Sequence, residues 1–117
     1  FIDLIKKKKM SNLKKINIKE NIIFAYCRSQ YSAATIKILN EKKISIKGII
    51  DDNKNFINID FMNLKTIDSK SLFWKYRKNL KNLIIIITHQ KTNTFKKISN
   101  FLSKNKILKS KIYYIKY

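Results

Sequence analysis

The chain has 117 residues, 44% hydrophobic and 12% aromatic, with 27 lysines and arginines against 7 carboxylates and a net charge of +20. That length fits one domain with one core, and the apolar content excludes a disordered chain in spite of the charge. The single cysteine, Cys27, excludes an internal disulfide framework and a cysteine-based zinc site, and makes a reducing cytoplasm the expected location.

Residues 1–18 read as a basic lead-in segment of helical character, with Ile2, Ile5, Leu13 and Ile16 around the lysine run Lys6–Lys9. The chain begins with Phe1 and not Met, so a fragment of a longer protein is expected. Apolar runs such as Leu83 to Ile87 fall far short of the ~20 residues that span a bilayer, so no membrane span is expected.

Residues 19–117 form the expected domain, in which strand and helix signals alternate. Asn21–Tyr26 is a short apolar strand. Ser32–Lys43 follows as a helix, with Ser32, Ala33, Ile36 and Leu39 on one face. Ile44–Ile50 is a second strand, closed by the turn formers Asp51, Asp52 and Asn53. After an irregular stretch, Leu64–Ile67 is a third strand, and Asp68 or Ser69 caps a helix carrying Leu72, Phe73 and Tyr76. Asn82–Thr88 is the fourth strand, whose four consecutive isoleucines suit burial on both faces. A helix over Thr92–Lys104 and a fifth strand over Ile112–Ile115 complete the series.

Such alternation predicts βαβ units, a parallel sheet of about five strands in the order 3-2-1-4-5, and helices on both faces. In open sheets of this kind ligands bind beyond the carboxyl ends of the strands, at the switch point. Here that is the turn FAYCRSQYSAA (Phe24–Ala34), the Asp51–Asp52 pair and Thr88–Gln90.

From Asn21 to Tyr117 the chain resembles the Rossmann-like nucleotide-binding domain of bacterial polysaccharide and sugar-nucleotide biosynthesis proteins, as in the amino-terminal domain of sugar acyltransferases. The most specific match is IKGIIDDN, Ile46–Asn53, the family's second strand ending in an Asp pair. Anchored on Leu39, the turn places Cys27, Ser29 and Ser32 over the three glycines of G-x-G-x-x-G. The resemblance implies a three-layer α/β domain that binds a nucleotide, sugar nucleotide or dinucleotide, is noncatalytic by itself, and precedes a catalytic transferase or dehydratase domain outside this chain.

The three replacements have different consequences. Ser32 is small enough for close packing of helix on strand, the role of the third glycine. Ser29 puts a Cβ where a pyrophosphate would approach, while offering it a hydroxyl. Cys27 must avoid positive φ or accept strain of roughly 1 kcal/mol or more. Pyrophosphate binding in the usual manner is therefore disfavoured.

The nucleotide-contacting set is expected to be Cys27, Arg28, Ser29, Gln30, Ser32, Asp51, Asp52, Thr88 and His89. Asp51, 24 residues after Cys27, is placed to accept from ribose hydroxyls, or else to shape a turn with Asp52. Arg28 could pair with a phosphate through its planar fork. His89, the only histidine, is expected to contact ligand or loop and not to perform chemistry, because no partner group is evident. Trp74 is expected to pack beside Phe73 and Tyr76.

A second register, with Ala25, Cys27 and Gln30 over the glycines, resembles the amino-terminal domain of muramyl-peptide ligases. That family lacks the IKGIIDDN type of second strand. Two further readings remain open: a basic nucleic-acid-binding protein, suggested by the charge, and a small enzyme using His89 and Asp51. The lysines are spread through every segment, so weak nonspecific attraction to polyanions is expected in any case.

Overall fold

The computed structural model describes residues 22–89 and 91–116; the basic lead-in, Asn21, Gln90 and Tyr117 lie outside the described residues. Among the described residues, six strands and three α-helices make a mixed α/β fold with a mostly parallel sheet. The strands are β1 (Ile22–Tyr26), β2 (Gly48–Ile50), β3 (Asp60–Phe61), β4 (Leu64–Ile67), β5 (Leu83–His89) and β6 (Ile112–Lys116). The helices are α1 (Gln30–Glu41), α2 (Ser69–Lys75) and α3 (Thr92–Lys104).

The sheet order is β3-β4-β2-β1-β5-β6. This differs from the expected five-strand, all-parallel order by an added edge strand. β3 pairs antiparallel with β4, Asp60 opposite Lys65 and Phe61 opposite Leu64. The hairpin closes through Met62 and Asn63, both left-handed with φ 51° and 63°, the backbone a two-residue turn of type I′ demands. The remaining pairs are parallel, β1 lying between β2 and β5 with Phe24 opposite both Gly48 and Ile85.

Because side chains alternate along a strand, the sheet carries two cores. Ile23, Ala25, Ile49, Ile84, Ile86 and Ile115 pack with Ile36 and Leu39 of α1. Phe24, Tyr26, Ile50, Ile85 and Ile87 pack with Leu72 and Tyr76 on the α2 side and Leu102 of α3. β5 is apolar from Leu83 to Ile87 because it contributes to both cores, each of these residues being at most 1% exposed.

The second strand is shorter than expected. Ile44 and Ile46 are buried at 7% and 6% exposure but stand outside the ladder. Ile44 closes α1: its N–H donates to the Leu39 carbonyl at 2.9 Å, and that of Lys43 to the Asn40 carbonyl at 3.0 Å. Lys43 is left-handed at φ 60°, which makes this a Schellman cap with lysine where glycine is usual. α3 ends in the same way through left-handed Lys106 and buried Ile107.

The only glycine, Gly48, serves close packing. A Cβ there would stand 2.9 Å from the Lys65 carbonyl oxygen on β4 and 3.0 Å from the Phe24 ring.

Candidate nucleotide crevice

At the carboxyl end of β1, Cys27 takes φ 71°. The turn that a glycine would make is thus made by a cysteine in the left-handed region, with the strain that implies. Its N–H donates to the Ile50 carbonyl at 2.7 Å, extending the β1–β2 contact into the turn. Ser29 is the N-cap of α1, its hydroxyl accepting the Ser32 N–H at 3.2 Å. The helix therefore begins at Gln30, two residues before the expected Ser32, and Gln30 is exposed on its first turn.

Ser32 is fully buried and its hydroxyl links three segments. It donates to the Cys27 carbonyl at 2.6 Å and lies 3.0 Å from Thr88 Oγ1 at the end of β5. Thr88 is 2% exposed. These two expected contact residues are brought together, but they face each other beneath the turn and not outward.

The Asp pair divides its work. Asp51 Oδ2 accepts the Arg28 N–H at 2.9 Å, and Oδ1 accepts the Asn53 N–H at 2.9 Å. Asp52 accepts from the Ser69 N–H at 2.7 Å and from the Ser69 hydroxyl at 2.9 Å, fastening the end of β2 to the start of α2. Asp68 then caps α2 by accepting the Ser71 N–H at 3.0 Å, and hydrogen bonds from the Ser71 side chain and then its N–H hold the carboxyl below the usual carboxylate range. Both members of the pair thus organise backbone.

Arg28 does not lie as a free cation in the turn. Its guanidinium carbon sits 4.6 Å from the Phe56 ring centroid and 5.1 Å from that of Phe61. Stacking on two rings ties the turn to the segment between β2 and the β3–β4 hairpin. His89 ends β5 at the same edge of the sheet.

Burial, reinforced by the nearby Asp51 and Asp52 carboxylates, pushes the Cys27 thiol up to about 12. The thiol stays protonated at neutral pH, which excludes a thiolate nucleophile in this state. Burial raises the Tyr26 phenol in the same way. Among the described residues no group of three or more His, Cys, Asp or Glu could hold a metal ion. Among them, too, no helix is long and apolar enough to cross a membrane.

Sequence reasoning missed two surface features. A cleft of about 400 Å³ beside β4 and the last turn of α2 has Lys47, Lys65 and Lys75 around Phe24, Leu64 and Tyr76. Trp74, expected in the core, is 68% exposed. α2 buries Leu72 and Tyr76, four residues apart on one face, and Trp74, two residues beyond Leu72, falls on the opposite side.

Comparison of the chain with protein-family models, with curated proteins and with solved structures finds no match.

Proposed function

We propose that this chain is a noncatalytic nucleotide- or sugar-nucleotide-binding module of a polysaccharide-biosynthesis protein, with its ligand lying across the carboxyl ends of β1 and β2. The observation that carries the reading is the left-handed Cys27 at the end of β1, followed by a capped helix and flanked by Asp51. A cysteine holds this backbone against its own preference. Such strain persists where surrounding structure demands it, and it clusters at ligand sites.

The same contacts favour the nucleoside end of a ligand over a pyrophosphate. The Ser29 hydroxyl is committed to the helix and its Cβ narrows the approach over the turn. Asp51 accepts one N–H at each carboxylate oxygen, leaving lone pairs for ribose hydroxyls. Arg28, on leaving its two aromatic rings, would supply the charge for a phosphate.

Calorimetry of the full chain against UDP, a UDP-sugar, a nicotinamide dinucleotide and S-adenosylmethionine tests this reading. The expected result is saturable one-to-one binding of at least one nucleotide, weakened about tenfold or more in Asp51→Asn, which loses a charged acceptor. No heat with any of them would leave a scaffold whose ligand site has been lost.

A further inference from the structure

We infer that the exposed aromatic surface at the end of α2 is a stacking platform for single-stranded nucleic acid. Trp74 and Phe101 are 68% and 40% exposed, and the Phe73 and Phe101 rings lie 5.9 Å apart, tilted by 47°. The Arg77 guanidinium carbon stands 4.0 Å from the Trp74 ring centroid and its Nη1 donates to the Trp74 carbonyl at 2.8 Å. Lys70, Phe73, Trp74, Arg77 and Asn105 line a shallow cavity of about 490 Å³.

An exposed indole with the Arg77 guanidinium held over one face, Lys70 in the same lining and no carboxylate there match the two demands of a single strand. Bases stack on the ring and phosphates meet the cations. From Ser69 to Lys78 the chain carries Lys70, Lys75, Arg77 and Lys78 and no acidic residue. Of these, Lys70 and Arg77 line the cavity together with Phe73 and Trp74.

The net charge of +20 selects the occupant. A second copy of this chain would bring like charge to the patch, whereas a polyanion is attracted from a distance. Duplex keeps its bases stacked inside, so an indole face is of use only to an unpaired strand. The platform involves none of the residues of the nucleotide crevice, and its failure would leave that proposal standing.

Trp74 is the only tryptophan in the chain, so its fluorescence reports on the platform alone. The full chain is titrated near 150 mM salt with a uridine 12-mer, a thymidine 12-mer and heparin, a polyanion without bases. The first two arms separate RNA from DNA. Quenching by at least one oligonucleotide and none by heparin is expected.

Labelled-oligonucleotide anisotropy should show Trp74→Ala weakening binding roughly 5- to 100-fold. Trp74→Phe should recover part of it, and Arg77→Gln should weaken binding and lower the salt slope by about one. Unchanged melting curves establish that the variants fold. Equal quenching by heparin, unchanged affinity in Trp74→Ala, or a dimer that dissociates on Trp74→Ala would overturn the inference, the last in favour of self-association.

Discussion

Asp51 Oδ2 accepts the backbone N–H of Arg28 at 2.9 Å, so a carboxylate at the end of one strand holds the turn that leaves its neighbour. The other carboxylate oxygen holds the Asn53 N–H. A single side chain thereby fixes both chain segments at the crevice floor.

Asp51→Ala should destabilise the chain by about 2 kcal/mol in urea unfolding, since charge-assisted bonds to two N–H groups are lost together. The Cys27 thiol, raised in part by this carboxylate, should also titrate at lower pH. Iodoacetamide alkylation followed against pH checks that second effect, and an unchanged profile would count against the electrostatic account.

At Cys27, substitution should follow backbone preference and not side-chain size. Cys27→Gly relieves the left-handed strain but loosens the unfolded chain by a comparable amount, so stability should stay within about 0.5 kcal/mol of wild type. Cys27→Val places a β-branched residue at φ 71° and should lose about 2 kcal/mol. Thermal and urea unfolding of the two variants checks this, and equal losses for both would count against strain at the turn.

The partly buried thiol also predicts an alkaline weakness. Its pKa rises on folding from 9.0 to about 12, so the folded state keeps a proton that the unfolded state releases. Its contribution to stability is complete below about pH 9 and is lost as pH climbs toward 12, by up to ~1.4 kcal/mol per pH unit. Unfolding of wild type and Cys27→Ser at pH 8, 9, 10 and 11 isolates this contribution from those of the lysines and tyrosines. The difference should be flat to pH 9 and then move in favour of the serine variant; one that stays flat throughout contradicts the burial of the thiol.

Gly48→Ala should cost about 2 kcal/mol. The added methyl meets the Lys65 carbonyl at 2.9 Å, and a backbone oxygen within a parallel ladder cannot swing aside. Equal urea midpoints for the two proteins would show that β2 and β4 can separate without loss.

The parts legible in the sequence were those where periodicity and burial coincide. β5 announces itself by its isoleucines, and α1 by Ile36 and Leu39 together with the small Ser32. β3 was not legible because its turn is Met62–Asn63, whereas hairpins of that kind are ordinarily signalled by Asn-Gly or Asp-Gly. Ile44 and Ile46 read as strand because they are apolar, yet Ile44 is apolar in order to seal a helix end.

At the crevice, residue types suggested contact with ligand, and which protein groups each side chain also holds could not be read from them. Ser32 and Thr88 are polar residues that satisfy each other beneath the turn. Arg28 is drawn to Phe56 and Phe61, 28 and 33 residues further along. No short window of sequence holds those pairings. Trp74 was illegible for a different reason: α2 has only seven residues, too few for its period to show which aromatic faces inward.

Lys43 and Lys106 occupy the sharp reversals that end α1 and α3, with φ 60° and 70°. In a chain with one glycine, these reversals are built from residues that resist them, and the helices close nonetheless. The protein therefore holds a reserve of unspent robustness at two solvent-facing positions remote from the crevice turn. Either lysine could become glycine and the fold would tighten, a margin on which other, more disruptive changes could be accommodated.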